Sequence, residues 1–110
     1  MDVAILPSAQ KDLQRCYYFY ARRETSVGKY FHNALYADIQ ALRKTGGIHS
    51  KRGRLFRVKS KFFPHWLYYG IIDEVAYVVA ILDARQAPEK IRKREKREQA
   101  FGDDQNFFNA

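Results

Sequence analysis

The hydrophobic pattern of the chain changes its period at Gly46 and Gly47, and this change limits the folds that the chain can adopt. Before the glycines, apolar residues recur every three or four positions, first around Leu13 and then around Leu35, which predicts two amphipathic helices. After the glycines, short runs rich in aromatic and branched residues predict strands. The chain is therefore expected to be mainly helical before Gly46 and to continue as strands after Gly47.

The order of these segments predicts an α+β fold. Only a short connection near Thr25 separates the two helices, so we expect them to form an antiparallel hairpin. A short apolar stretch at 3–6 predicts an N-terminal edge strand, and three sequential strands are expected at 54–59, 65–72 and 75–82, with Asp73-Glu74 as a hairpin turn between the last two. The expected architecture is a two-helix hairpin packed on one face of a twisted, mainly antiparallel sheet, with the opposite face partly open.

The positive charge of the chain is concentrated on one predicted strand. The formal net charge is +8, and residues 51–61 contain six basic and no acidic residues. Side chains two positions apart on a strand share a face, so Arg57, Lys59 and Lys61 should form a row on the open face while Phe56 and Val58 point towards the helices. Such a row suits nucleic acid, an anionic membrane surface or an acidic protein, and charge alone does not choose among them.

The C-terminal segment is also charged, but with mixed signs. Residues 89–98 hold six basic and three acidic residues, a pattern more typical of a solvated helix than of a cationic arm. We expect residues 1–91 to form one domain and residues 92–110 to be a charged extension, helical at first and then frayed. Phe107 and Phe108 either dock on a surface or belong to a disordered terminus.

Residue types that bind metals or form disulfides are scarce. Cys16 is the only cysteine, so neither an intramolecular disulfide nor a cysteine-based zinc site can form. No spacing of His, Asp or Glu suggests a metal site, and we expect no cofactor. The first residues lack the pattern of a secretory signal and no run reaches membrane-spanning length, so we expect a soluble, cytoplasmic protein with no membrane partner.

Four local sequences occur in an order that resembles the RelE/ParE toxin superfamily of type II toxin-antitoxin systems, over about residues 3–91. They are Ala9-Gln10-Lys11-Asp12-Leu13, Leu55-Phe56-Arg57-Val58, Phe63-Pro64-His65-Trp66-Leu67-Tyr68-Tyr69 and Val79-Ala80-Ile81-Leu82-Asp83-Ala84-Arg85-Gln86-Ala87-Pro88. The resemblance implies a bacterial toxin, of the kind associated with plasmid stabilization, that is neutralised by an antitoxin encoded beside it. RelE-like members cut mRNA on the ribosome, whereas ParE-like members inhibit DNA gyrase and carry no established hydrolytic site.

The resemblance to RelE-like ribonucleases is incomplete. Arg57, Lys59 and Arg85 look similar to the basic residues of that branch, and His65 would have to act as an acid or base. The arginine that RelE-like toxins carry on the next strand aligns with Trp66, and their C-terminal tyrosine aligns near Ile91. Because tryptophan cannot supply the missing charge, a ribosome-dependent ribonuclease is the alternative rather than the first hypothesis.

The ParE branch fits the sequence better. Phe63-Pro64 and the segment 81–88 look more like this branch, although it usually has histidine where this chain has Asp83. We expect an inhibitor of DNA gyrase rather than an enzyme, with a cognate antitoxin as partner. In the ribonuclease alternative, the targets are the ribosome and mRNA. A non-toxic nucleic-acid-binding module is the second alternative. The residues expected to contact gyrase or antitoxin are Arg54, Arg57, Lys59, Lys61 and Arg85.

Overall fold

The computed structural model describes residues 1–103 and contains the predicted helical hairpin and sheet. The elements in chain order are β1 (Asp2–Ile5), α1 (Pro7–Arg23), α2 (Thr25–Thr45), β2 (Lys51–Arg52), β3 (Leu55–Lys59), β4 (His65–Ile72), β5 (Val75–Asp83) and α3 (Pro88–Glu98). The two helices and the four predicted strands are confirmed. The two-residue strand β2 was not predicted, since Lys51 and Arg52 carry no strand pattern of their own.

The five strands form one sheet in the order β1-β5-β4-β3-β2. β1 pairs parallel with β5, and the other neighbours are antiparallel. Between β4 and β5 the chain turns at Asp73 and Glu74, whose φ angles of 50° and 63° are those of a tight hairpin turn with two left-handed residues. This turn had been predicted from the two residues.

The helical hairpin covers one face of the sheet, which we call the hairpin side. The helices approach closely near Gly28, where a Cβ atom would lie 2.7 Å from the Cβ of Ala21. The apolar stripes of both helices then meet the sheet, because neither could bury its apolar side chains alone. The buried residues on this side include Phe31, Leu35, Ile39, Leu42, Leu67, Tyr69, Val78 and Ile81.

The other face of the sheet is covered by α3, and we call it the α3 side. The sequence predicted that this face is partly open, and α3 covers the part of it that includes Arg57. Ile91 of α3 and Phe101 pack on a second cluster of buried residues, and α3 crosses the boundary expected at residue 91. That cluster consists of Leu55, Tyr68, Val79, Ala80 and Leu82. The hypotheses on Phe107, Phe108 and a frayed end fall on residues 104–110, outside the described residues.

Side chains of α1 complete the edge of the sheet and fix α3. β1 pairs with β5 only as far as Val78, so the backbone beyond it needs other partners. Ser8 donates its hydroxyl hydrogen to the carbonyl of Val79 at 2.7 Å, and the amide of Ile81 donates to a carboxylate oxygen of Asp12 at 3.0 Å. The same carboxylate accepts two hydrogen bonds from the guanidinium of Arg94 on α3, at 2.9 and 2.7 Å. Asp12 thus joins α1, β5 and α3.

Candidate interaction site

Arg57 lies on the α3 side, as the alternation predicts, but it is covered rather than open. Its guanidinium carbon lies 3.8 Å from the ring centre of Trp66, and its Nη1 atom lies 3.5 Å from Oε2 of Glu95 on α3. Tyr68 donates its hydroxyl hydrogen to the same oxygen of Glu95 at 2.5 Å. The side chain of Arg57 is only 17% exposed. Its charge is therefore neutralised within the fold, by a residue of the mixed-charge segment.

The environment of Tyr68 keeps this contact in place. Burial, together with the hydrogen bond to Glu95, raises the pKa of Tyr68 to about 12. The phenol therefore stays protonated at neutral pH and remains a donor to the carboxylate. Arg57, Tyr68 and Glu95 form a closed polar group under α3, in which each charge has a partner.

The predicted cationic row ends at Lys59, and the inclusion of Lys61 was wrong. Lys59 is exposed, with its Nζ atom 5.5 Å from the ring centre of Trp66. The strand stops there because the next residue, Ser60, is buried, donates its hydroxyl hydrogen to Asp38 at 2.5 Å and donates its amide hydrogen to the carbonyl of His65. Lys61 is exposed on the following loop, where its backbone amide also faces Asp38.

Two other predicted contact residues lie at opposite ends of the sheet. Arg54 is in the turn between β2 and β3 and pairs with Asp103. Arg85 follows β5. Its guanidinium donates two hydrogen bonds to the carboxylate of Asp83, at 3.0 and 2.8 Å, and its Nη2 atom also donates to the hydroxyl of Tyr20 at 3.3 Å. The guanidinium of Arg85 holds the pKa of Asp83 below its usual value. Arg85 remains 56% exposed, so its outer edge can meet a partner.

His65 is buried on the hairpin side. It is 1% exposed and lies among rings, with centroids 5.1 Å from Phe31 and 5.9 Å from Tyr20. Its Nδ1 atom has no hydrogen-bond partner among residues 1–103. Burial lowers the pKa of His65, although the negative charge of Asp83 opposes this shift. The imidazole is therefore neutral at pH 7 and shielded from solvent.

The sheet separates the four residues considered for RNA cleavage. Arg57 and Lys59 lie on the α3 side, whereas His65 is buried on the hairpin side, next to Phe31 of α2. Arg85 contacts Tyr20 of α1 and so also belongs to the hairpin side. The structure brings Arg85 near His65 through Asp83, but it does not bring either of them to Arg57 and Lys59.

An aromatic groove on the helical hairpin was not predicted. It is a cleft of about 500 Å³. The rings along it are in contact: Tyr17 lies 5.5 Å from Tyr18 and 6.5 Å from His32, which stacks on Tyr36 at 6.0 Å. Tyr18 is 52% and Tyr36 48% exposed. The aromatic groove is lined by Ile5, Gln10, Leu13, Gln14, Tyr17, Tyr18, His32 and Tyr36.

The sequence contains a signal for this groove. Leu13 and Tyr17, and likewise His32 and Tyr36, are four residues apart and so share a helix face. Tyr36 is turned by about 100° around the helix from the core residue Leu35, and the stripe that faces the sheet continues at Ile39, so Tyr36 lies off that stripe. Aromatic residues on the outer face of a hairpin are the observation that would have indicated a binding surface.

The part of the chain that the structure describes offers little for metal or covalent chemistry. No group of three or more His, Cys, Asp or Glu residues within residues 1–103 could hold a metal ion. Burial raises the pKa of the Cys16 thiol to about 11, which keeps it in the unreactive protonated form. Within the same residues, no helix is long and apolar enough to cross a membrane.

Comparisons with known proteins agree with the topology. The family model described as "ParE toxin of type II toxin-antitoxin system, parDE" matches residues 3–88. A solved structure titled "Chromosomal ParDE TA system from P. aeruginosa" has a similar fold, with a TM-score of 0.70 and 11% sequence identity, over 77% of this chain and 97% of that chain. Among curated protein sequences none matches this chain. Because the family model spans most of the sequence, this chain belongs to the ParE family of toxins of type II toxin-antitoxin systems.

Proposed function

We propose that this chain inhibits DNA gyrase and is neutralised by a cognate antitoxin. Membership of the ParE family supports the first part. The observation that favours an inhibitor over a ribonuclease is the separation of the candidate catalytic residues by the sheet. Cleavage of RNA requires a base, an acid and cations that converge on one phosphate. Here the imidazole of His65 is buried and Arg57 is neutralised by Glu95, on the other side of the sheet.

The exposed cations are the proposed contacts to gyrase. Of the five residues expected from the sequence, Arg54, Lys59, Lys61 and Arg85 are exposed, whereas Arg57 is covered by α3. Lys59 and Lys61 lie close together at the end of β3 and the start of the next loop. We therefore assign the contact with the target to these four exposed residues and a structural role to Arg57.

A supercoiling assay with purified gyrase tests the target. The wild-type chain should block supercoiling, and the variant Lys59→Ala/Lys61→Ala should inhibit several-fold less, because charges at the edge of an interface mainly set the association rate. Lys29→Ala/Lys44→Ala is the matched control, since both lysines are exposed on α2 and the charge change is identical. A translation-coupled mRNA cleavage assay is run in parallel. Cleavage of mRNA without inhibition of gyrase would contradict the proposal and favour the ribonuclease.

The aromatic groove is the proposed docking surface for the antitoxin. A contiguous apolar patch on an otherwise charged protein is typical of an interaction surface. The groove is lined by residues of both helices and offers ring faces with polar edges, which suits the apolar face of an amphipathic helix. An acidic antitoxin segment that orders on this surface could also cover nearby cations.

Substitutions on α2 separate this groove from other exposed aromatic residues. Tyr36→Ala should weaken binding of the protein encoded beside this chain by about tenfold or more, because truncation of a central aromatic residue commonly costs about 2 kcal/mol. Tyr30→Ala is the control: Tyr30 is 53% exposed on the same helix but contacts Phe62 and Phe63 outside the groove. Isothermal titration calorimetry measures both variants. Equal weakening by the two substitutions would contradict docking in the groove.

A further inference from the structure

The fold sorts the charges of α3 between its two faces. The inward side carries Glu95 and Glu98, which are 16% and 15% exposed, together with Arg94 at 14%. The outward side carries five cations and one carboxylate, a net charge of +4. These exposed residues are Glu89, Lys90, Arg92, Lys93, Lys96 and Arg97. A segment whose mixed charges suggested a solvated helix therefore presents a cationic surface.

The inward carboxylates do not offset this surface, because each is paired within the fold. Glu95 accepts hydrogen bonds from Tyr68 at 2.5 Å and Arg57 at 3.5 Å. Glu98 accepts one from Nε of Arg94 at 2.6 Å, and Arg97 lies 3.5 Å away. Partly buried ion pairs direct their field towards their partners rather than into the solvent. Apart from Arg97, the exposed lysines and arginines of α3 are thus left with little local compensation.

The cationic face is held rigidly on the protein. Asp12 fixes the middle of α3 through Arg94. At the C-terminal end, Gln99 donates to the carbonyl of Arg52 at 3.0 Å and accepts from the amide of Arg54 at 2.8 Å. This contact places the exposed turn between β2 and β3 beside the end of the helix. The cations of α3 therefore have fixed positions along a helix of 11 residues, a length of about 16 Å at 1.5 Å per residue.

We propose that the exposed face of α3 binds the phosphate backbone of duplex DNA. The face includes a shallow cleft of about 500 Å³ lined by Lys90, Lys93, Arg94, Lys96 and Arg97. Cations that neutralise phosphates release counterions, which supplies most of the free energy of sequence-independent binding. A helix about 16 Å long spans about five base-pair steps at 3.4 Å each. This binding does not require gyrase to be the target of the chain.

The chemistry of this face favours DNA over an acidic protein or RNA. Protein interfaces depend on apolar or aromatic anchors and are poor in lysine, and among the described residues the exposed face of α3 carries no aromatic or large aliphatic side chain. The major groove of B-form DNA admits an α-helix, so its flanking phosphates are accessible to one. The major groove of A-form RNA is deep and narrow, which excludes the helix.

The test is fluorescence anisotropy of the full-length chain with a labelled duplex of mixed sequence, about 20 base pairs long, at salt concentrations from about 50 to 200 mM. Lys93→Gln/Lys96→Gln removes two exposed cations while keeping good helix formers. Lys29→Gln/Lys44→Gln on α2 is the matched control. The α3 variant should lose about tenfold in affinity at about 100 mM salt, and its slope of log K against log salt should become shallower by about 2, since each phosphate contact contributes about 0.9. The control should keep the wild-type slope.

Several outcomes would overturn the proposal. Equal losses in the two variants would show that net charge, rather than α3, drives binding. Binding of wild type that does not respond to salt would also refute it. If polyglutamate competes as well as unlabelled DNA, the face binds an acidic protein instead. If duplex RNA binds as tightly as DNA, the face has no preference for B-form geometry. Thermal melting of each variant ensures that the comparison is made on folded protein.

Discussion

Replacement of Asp12 should lower the free energy of unfolding strongly, because one small carboxylate contacts residues of β5, α3 and α1. Its carboxylate is 2% exposed and bonds the amide of Ile81, the guanidinium of Arg94 and, at 2.5 Å, that of Arg15. In Asp12→Ala, Arg94 loses its bidentate partner in a site where it is 14% exposed. Breaking a buried pair in this way commonly costs about 3–5 kcal/mol, and leaving a buried amide unpaired costs about 1–3 kcal/mol.

The cost of the broken ion pair and the cost of the unpaired amide do not add in full, because Arg94 keeps its ion pair with Glu98 at 2.6 Å. We therefore expect Asp12→Ala to lower the free energy of unfolding by about 4 kcal/mol. With a urea slope of about 2 kcal/mol per M, the midpoint should fall by about 2 M. Asp12→Asn should cost roughly half as much, because its amide oxygen can still accept the bond from Ile81. Asp2→Ala is the control: it removes an 85% exposed carboxylate from a surface pair with Arg43 and should change the midpoint little.

The measurement is urea unfolding followed by circular dichroism, extended to a double-mutant cycle. Arg94→Met removes the charge that loses its Asp12 partner in Asp12→Ala, so the double variant should be more stable than the sum of the single costs predicts, by about 2 kcal/mol. Costs that add within about 0.5 kcal/mol would refute the pairing argument. A loss below about 1 kcal/mol for Asp12→Ala would refute the view that this carboxylate joins α1, β5 and α3.

Two further predictions concern His65 and Gly28. Because burial lowers the pKa of His65 below its ordinary 6.5, the unfolded chain binds the proton more readily, so stability should fall as pH drops from about 7.5 through 6.5 towards the folded-state pKa. In His65→Phe this dependence should shrink to the part contributed by His49, whose pKa burial also lowers. An unchanged profile in His65→Phe would contradict the assignment. Gly28→Val should lower the urea midpoint, since its Cβ would meet Ala21 at 2.7 Å and overpacking costs about 1–3 kcal/mol; a variant as stable as wild type would show that the hairpin can open without cost.

Local patterns were sufficient to predict most of the fold. The stripes around Leu13 and Leu35, the branched and aromatic runs of β3, β4 and β5, and the turn at Asp73 are each encoded within about ten residues, so periodicity and turn chemistry identify them. The position of α3 on the sheet could not be predicted in this way. Its contact through Arg94 and Asp12 joins residues 82 positions apart, and its own sequence is typical of a solvated helix.

Contacts between residues far apart in sequence also explain why the candidate site was predicted only in part. Strand alternation correctly placed Arg57 and Lys59 on one face of β3, because that property depends only on neighbours in sequence. Whether the face is open depends on α3, and where the strand ends depends on the contact of Ser60 with Asp38 on α2, 22 residues away. Exposure and strand ends are set by tertiary contacts, which one-dimensional patterns do not contain.

These contacts also decide how the function of α3 should be tested. Glu95 on its inner side neutralises Arg57, whereas Lys93 and Lys96 on its outer side remain free of such pairing in the described part of the chain. Truncation before α3 would therefore remove the exposed cations and at the same time uncover Arg57, Trp66 and the apolar cluster beneath them. A truncated chain could gain a new cationic and apolar surface while losing the original one. Only substitutions on the outer side, with the Asp12 contact intact, separate the role of α3 in binding from its role in the fold.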